Sequence, residues 1–223
     1  MLEESTIQRV LAAAASRGAD FAEIFAEEKR SSSALLDDGR IEELTSGRDR
    51  GAGIRVVVGE STGFAHTSDL SEAGLIAAAE TAASAARGSG TGTTIVDLDR
   101  VNAPRPNLVR IMPGDVPKAK KVELLLMANE MARAEGAAIT QVSARYADSH
   151  RRILVANTDG TLGTDEQVKT LFSISAVASG DTGMQTGRES IGRSVGFELF
   201  DTYEVGDLAR TAAQRAITKL AAR

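Results

Sequence analysis

The sequence of 223 residues contains no cysteine and no tryptophan, and aromatic residues make up only 4% of it. Without cysteine, these residues can form no disulfide, thiolate nucleophile or cysteine-based metal site. Because aromatic residues are scarce, we expect Ala, Val, Leu and Ile to fill the core. A cysteine-free chain also suits a reducing compartment, so we expect a cytoplasmic protein.

Strongly apolar segments and positive charge are also lacking. The N-terminus, MLEESTIQRV, is acidic and has no apolar stretch typical of a signal peptide. No run approaches the roughly 18 apolar residues that indicate a membrane span. The net charge is −5, and the one basic run (Lys118, Lys120 and Lys121) predicts the solvated start of a helix. We therefore expect no membrane contact and no direct contact with nucleic acid.

What the sequence does contain is a repeated pattern. An Asp-Gly turn at 38–39 is followed 21 positions later by a polar turn at 59–60, and the same pair recurs at 159–160 and 180–181. A helical apolar pattern precedes and follows each copy. The spacing predicts a duplication in which each half runs helix, four strands, helix.

All four prolines lie in residues 104–117, which predicts a semi-rigid connector. The connector separates a first lobe at 1–103 from a second lobe at 118–223. Each lobe is predicted to be an antiparallel sheet flanked by helices, which places the fold in the α+β class. The second copy has about a dozen more residues before its last helix, and we expect a Gly-rich strand pair or flap at 182–196.

Helices are predicted to begin near Ser5 and to follow an N-cap at Ser71, with two more over 118–135 and 204–222. In the second half, strands are predicted over 138–147, 151–157, 167–178 and 185–199. A short strand is possible at Ile95-Val96.

Residues that could bind a metal or transfer protons are few. His66 and His150 are 84 positions apart, and neither has a histidine partner at the spacing that places two imidazoles on one metal. His66 is predicted in a strand and His150 at a turn, both as ordinary surface histidines. The paired acids at 37–38, 42–43 and 165–166 adjoin turns, which favours solvated hairpin faces over acid–base chemistry. We predict no catalytic and no metal-binding residue.

Nucleophilic and phosphate-binding motifs are absent as well. No G-x-S-x-G elbow occurs, and Ser31–Ser33 fit a strand edge or a turn. The segment GSGTGTT at 88–94 lacks the Lys-Ser/Thr of a phosphate loop and fits a linker. Peptide binding remains, because the Gly-rich edges at 59–67 and 182–198 could accept an extended peptide as an added strand. Pairing within the chain or with another subunit is an equal alternative, and the substrate-binding residues are unknown.

The segment GAGIRVVVGESTGFAHTSDLS at 51–71 resembles the N-terminal hallmark of the TldD/PmbA family. Three segments of the second half resemble the family's middle region: KVELLLMANEMARAE at 121–135, QVSARYADSHRRILVANTDGTLGTDE at 141–166 and GRSVGFELF at 192–200. The resemblance spans nearly the whole chain and is closer to TldD than to PmbA.

This resemblance implies a zinc metallopeptidase that acts on peptides or unfolded segments. It also implies assembly with a paralogue or as a homodimer, and an older family name links members to modulation of DNA gyrase. The family's zinc motif, H-E-x-x-x-H with a later cysteine, does not occur in these residues. Since the family pattern places that motif shortly after the last helix here, zinc is expected only in a further C-terminal region. We therefore expect a non-catalytic N-terminal part, inactive alone, that helps enclose the peptide path and contributes to dimer contacts.

Two other interpretations stay open at this stage. The chain could be a stand-alone peptide-binding or assembly module that pairs with a full-length TldD/PmbA paralogue. It could also be a protein regulator of DNA gyrase. The first interpretation, an enzyme part, predicts that the parent reading frame continues into H-E-x-x-x-H.

Overall fold

The computed structural model describes residues 2–86, 88, 90, 92–93, 96–102 and 108–222. The described helices are α1 (Glu4–Ala15), α2 (Glu72–Ala85), α3 (Lys118–Ala134), α4 (Leu199–Thr202) and α5 (Val205–Ala221), with a 3₁₀ turn at Pro113–Asp115. The described strands are β1 (Phe21–Asp37), β2 (Arg40–Val58), β3 (Ser61–Thr67), β4 (Asp99–Asn102), β5 (Ile139–Asn157), β6 (Thr161–Gly180) and β7 (Gly183–Arg193). No helix in these described ranges is long and apolar enough to cross a membrane.

The described strands form a seven-stranded sheet in the order β3-β2-β1-β5-β6-β4, and β7 pairs with β6. β2 and β3 are antiparallel, as are β6 and β7, while the short β4 runs parallel to β6. Helices flank this mainly antiparallel sheet. The expected α+β class is therefore confirmed.

The chain folds into two compact units whose residues interleave along the sequence. The first unit contains Met1–Lys29, Arg48–Arg105 and Arg151–Glu166, and the second contains Arg30–Gly47, Pro106–His150 and Gln167–Arg223. The tip of the first copy's long hairpin thus belongs to the second unit, and the tip of the second copy's hairpin belongs to the first unit. The predicted connector at 104–117 lies partly outside the described residues, and the division into lobes at that point remains a prediction.

The core of the first unit is built from aliphatic side chains. Helix α1 buries Ile7, Val10, Leu11 and Ala14, which are the positions that the helical spacing predicts. These pack with α2 and with the strands, and the hairpin tip adds Leu154, Ala156 and Leu162. The helix ends as expected before Gly18, whose φ of 80° suits a residue without a side chain.

The core of the second unit contains aromatic rings. Tyr146, Phe172, Phe197 and Phe200 form a cluster with ring centroids 5.1 to 6.2 Å apart in contacting pairs. Such tilted and edge-to-face pairs are favourable arrangements for aromatic side chains. The expectation of purely aliphatic cores is thus wrong for this unit.

Each copy contains three main strands where four were expected. Residues predicted as separate strands at 138–147 and 151–157 belong to the single strand β5, so no turn occurs at His150. The charged residues that follow His150 are paired across the sheet: Arg151 with Glu27, and Arg152 Nη2 with Glu28 Oε2 at 3.1 Å. Cross-strand ion pairs allow charged side chains inside a strand.

The additional length of the second copy forms no strand pair. It is divided between β7, which is longer than β3, and a segment at 194–204 that contains α4. That segment supplies Phe197 and Phe200 to the aromatic cluster. Of the possible strand at Ile95-Val96, the structure describes only Val96, which is not in a strand. The strand β4 begins at Asp99 instead.

Both copies pack the last helix against the third strand through a glycine. A Cβ added at Gly63 would lie 2.0 Å from the carbonyl oxygen of Ala82 in α2. A Cβ added at Gly187 would lie 1.9 Å from the carbonyl oxygen of Ala212 in α5. The same close helix-to-strand approach in both halves supports the predicted duplication.

Candidate peptide-binding surfaces

The histidines do not form a metal site. His66 lies in β3 as predicted, and its ring stacks on Phe64 with centroids 6.3 Å apart. His150 lies within β5. Among the described residues, no three His, Cys, Asp or Glu side chains are grouped to hold a metal ion. The described residues therefore do not fit the zinc that the resemblance implies.

The acid pair at 37–38 makes structural contacts at the tip of the first hairpin. Asp37 accepts hydrogen bonds from Ser143 Oγ and from Gln141 Nε2, and these two contacts lower the pKa of its carboxyl group. Asp38 adopts a φ of 46° in the turn and is paired with Arg133. Both carboxylates thus stabilise the hairpin.

Each of the other two acid pairs has a member that accepts hydrogen bonds from neighbouring groups. Glu43 Oε1 accepts from Ser33 at 3.3 Å and from Thr45 at 3.2 Å. Asp165 Oδ1 accepts the backbone N–H of Glu166 at 2.8 Å. Neither arrangement places two carboxyl groups in the contrasting environments that acid–base catalysis requires.

Lys121 is buried rather than solvated, contrary to expectation. Its Nζ donates to Asp148 Oδ2 at 2.7 Å and to Ser32 Oγ at 2.8 Å, and only 4% of the residue is exposed. A signal was present in the sequence, because Lys121 precedes the buried Leu125 and Ala128 of α3 by four and seven positions. Lys118 and Lys120 are exposed as predicted.

Around Lys121 the chain forms a buried polar cluster. Ser32 Oγ donates to Asp148 Oδ2 at 2.5 Å, and Lys121 Nζ lies 5.1 Å from the centroid of the Tyr146 ring. Burial raises the pKa of Tyr146 well above its usual value, and the nearby Asp148 carboxylate raises it further. Because the ammonium group is paired with a carboxylate, Ser32 has no amine base to activate it. The cluster is structural.

A groove over the face of β1, β2 and the edge strand β3 is the first candidate binding surface. Among the described residues, β3 pairs with β2 alone. The groove has a volume of about 370 Å³, and its lining includes Phe25, Glu27, Arg50, Gly53, Phe64 and His66. We call it the β3 groove.

Exposed aromatic rings distinguish the β3 groove from the rest of the first unit. Phe64 is 61% exposed and Phe25 is 39% exposed, although both are large apolar side chains. The Phe64 ring lies over the backbone of Gly53, where an added Cβ would be 3.0 Å from the ring. An edge strand with unpaired backbone groups beside exposed rings can hold an extended peptide.

A cleft on the second unit is the second candidate surface. It has a volume of about 540 Å³, and its polar lining includes Ser143, Arg145, Ser173, Ser175, Arg188 and Ser190. We call it the polar cleft.

The polar cleft follows from strand alternation. On β6, Phe172 and Ile174 are buried in the core, so the intervening Ser173 and Ser175 face the other way. In the β6–β7 register Ser173 lies opposite Ser190 and Ser175 lies opposite Arg188. The Gly-rich β7 segment is evident in the sequence but this surface is not, because alternation within one strand does not reveal which strands are neighbours.

Comparisons with known proteins show the family of this chain. The family model described as PmbA/TldA metallopeptidase domain 1 matches residues 22–86, and the model of the PmbA/TldA metallopeptidase central domain matches residues 111–220. This chain belongs to the TldD/PmbA family. The resemblance to its N-terminal and middle regions is confirmed.

Relatives within the TldD/PmbA family are longer than this chain. A metalloprotease of Methanothermobacter thermautotrophicus is 34% identical over 91% of this chain and 44% of its own length. A TldD homolog of Haemophilus influenzae is 30% identical over 99% of this chain and 47% of its own length. The chain thus spans somewhat less than half the length of these curated relatives.

Solved structures share the fold. A Thermotoga maritima protein assigned as a modulator of a DNA gyrase has a TM-score of 0.80 at 17% identity, covering 99% of this chain and 49% of that protein. TldE from Thermococcus kodakarensis has a TM-score of 0.78 at 15% identity, covering 95% of this chain and 47% of that protein. At these identities the likeness establishes the fold alone.

Proposed function

We propose that this chain is the N-terminal, non-catalytic part of a TldD-like zinc metallopeptidase and that it holds an extended peptide along the edge of β3. The observation that carries the proposal is the β3 groove, where the edge strand β3 carries the exposed Phe64. The metal and the residues that cleave the peptide are expected outside these 223 residues. The chain alone is therefore expected to bind peptide without hydrolysing it.

Strand addition suits a substrate that lacks a fixed sequence. Backbone hydrogen bonds to β3 would be the same for any extended peptide, and the exposed ring of Phe64 on β3 would contact its apolar side chains. His66, stacked on Phe64, adds a polar group at the same surface. This combination supports binding of unfolded segments.

Assembly and location form a second part of the proposal. We infer that the chain pairs with a TldD/PmbA paralogue or with a second copy of itself, and that it works in the cytoplasm. Family membership and the cysteine-free composition support this part. Light scattering on the purified chain, alone and after co-expression with a paralogue, tests the pairing; a monomer under both conditions would exclude it.

The peptide-binding part is tested by fluorescence anisotropy with a labelled, uncharged ten-residue peptide. A matched peptide with every backbone amide N-methylated has no free N–H on either edge and cannot add to a strand, so we expect its affinity to fall at least about tenfold. Phe64→Ala should weaken binding of the unmethylated peptide severalfold. Leu108→Ala is the control, because Leu108 is 90% exposed and outside the β3 groove. Equal binding of both peptides would rule out strand addition.

A further inference from the structure

Two arginines of the polar cleft differ from most arginines of this chain. Arginines elsewhere are commonly paired, as Arg55 is with Glu23 at 2.7 Å and Arg110 with Asp201 at 3.1 Å. Arg145 and Arg188 are both exposed. Within the described residues neither guanidinium group has an ion pair or a hydrogen bond.

Hydroxyl groups of the polar cleft are also available. Ser173, Ser175 and Ser190 donate to no acceptor in the part of the chain that the structure describes. Each can donate one hydrogen bond. Since Ser175 lies opposite Arg188 and Ser173 lies opposite Ser190, the free donors of β6 and β7 are adjacent.

The nearby carboxylates are already occupied. Glu189 forms an ion pair with Arg215 of α5. Asp37 accepts from Ser143 and Gln141. The unsatisfied groups of the polar cleft are therefore hydrogen-bond donors and two positive charges, in a chain whose net charge is −5. Local charge of this sign is complementary to a carboxylate.

We propose that the polar cleft binds an acidic side chain of an extended peptide. Arg145 and Arg188 pair with the carboxylate, and serine hydroxyls of β6 and β7 donate to the same group. The proposal rests on the proposed function in one respect, because it takes a peptide as the ligand. Two free guanidinium groups suit a single carboxylate better than a nucleic-acid backbone, since the third arginine of the cleft, Arg215, is already paired with Glu189.

Two labelled ten-residue peptides test the proposal, identical except for Glu or Gln at one central position. The 223-residue chain should bind the Glu peptide about tenfold more tightly than the Gln peptide. In the double variant Arg145→Gln/Arg188→Gln this preference should disappear, while binding of the Gln peptide through β3 remains.

The matched control is Arg17→Gln/Arg40→Gln. Both of its arginines are exposed, lie outside the polar cleft and have no ion pair within the described ranges, so the variant loses the same charge. It should keep the preference for Glu. Unfolding curves of both variants verify that each remains folded.

Several results would overturn the proposal. Equal affinity of the unaltered chain for both peptides would do so while leaving the proposed function intact. A preference for Glu that survives Arg145→Gln/Arg188→Gln would place the acidic site elsewhere. A labelled single-stranded oligonucleotide could also bind more tightly than the Glu peptide. If that binding is lost in the double variant, the cleft is a nucleic-acid site and the proposal is wrong. Failure to bind either peptide would contradict this proposal and the proposed function together.

Discussion

In both copies a glycine of the third strand packs against the last helix, but the copies differ in how the chain enters that helix. In the first copy residues 68–71 connect β3 to α2, and Ser71 Oγ accepts the N–H of Gly74 at 3.2 Å as a helix N-cap. In the second copy residues 194–204 connect β7 to α5. The short connection is held in place by side chains next to the helix. The longer connection needs contacts with other segments of its unit to be held in place.

Glu198 supplies that attachment. Its Oε1 accepts the N–H of Arg110 and that of Gly196, each at 3.1 Å, and its Oε2 accepts the N–H of Ile111 at 2.9 Å. The side chain therefore joins the segment before α3 to the segment before α5. The first copy offers a smaller counterpart in Asp69, whose Oδ1 accepts the N–H of Ser71 at 2.9 Å.

The copies also differ at the first buried position of their first helix. Ile7 occupies this position in α1, and Lys121 occupies it in α3. Lys121→Met leaves Asp148 buried without its cation, and we expect it to lower the free energy of unfolding by about 3–5 kcal/mol. Chemical denaturation measures this loss. Lys121→Met/Asp148→Leu should recover much of it, and a double variant as unstable as the single one would contradict the charge-pair explanation.

The shared glycine contact tests how equivalent the copies are. Gly63→Ala and Gly187→Ala each place a methyl group against helix backbone, and each should cost about 3 kcal/mol of unfolding free energy. Gly114→Ala is the control, since nothing lies within 4 Å of its added Cβ. Denaturation curves of the three variants check this. Unequal losses at Gly63 and Gly187 would show that one helix can shift and the other cannot.

Glu198→Gln probes the longer connection and should cost about 2 kcal/mol at neutral pH, because the charged acceptor becomes neutral and an NH2 group replaces one accepting oxygen. Burial by itself raises the pKa of Glu198, but the backbone N–H groups that it accepts outweigh burial, so its pKa is lowered. A lowered pKa means that the carboxylate stabilises the fold above its unfolded pKa of about 4.3 and loses this contribution as pH falls through the folded pKa.

The difference in stability between the unaltered chain and Glu198→Gln should therefore shrink below about pH 4. Unfolding free energies measured across this range check the prediction. Asp69→Asn in the first copy should have a smaller effect, because Asp69 is exposed. A pH-independent difference for Glu198→Gln would show that shape rather than charge holds the connection.

Local sequence patterns predicted those parts of the fold that depend on a few neighbouring residues, such as a helix cap, a turn or the buried face of a helix. The Ser71 cap, the turn at Asp38-Gly39 and the apolar spacing of α1 are all confirmed. The duplication was visible because its turns repeat at a fixed interval. Family membership was also visible, because the segments that carry the resemblance are contiguous in the sequence.

Features that depend on a distant partner could not be predicted. Arg151 and Arg152 interrupt an apolar pattern, and only their pairing with Glu27 and Glu28 shows that the strand continues. Both candidate surfaces depend on the order of strands in the sheet, which no single strand specifies. The free donors of the polar cleft could not be predicted either. Only the structure shows that the two arginines of the cleft lack the ion-pair partners that other arginines have.

The exchange of hairpin tips has a consequence for synthesis of the protein. Leu154, Ala156 and Leu162 belong to the buried cluster that begins with Ile7. The ribosome must therefore synthesise more than two thirds of the 223 residues before the core of the first unit can form. Contacts so distant in sequence slow folding, and until they form the nascent helices α1 and α2 keep an apolar face open to chaperones.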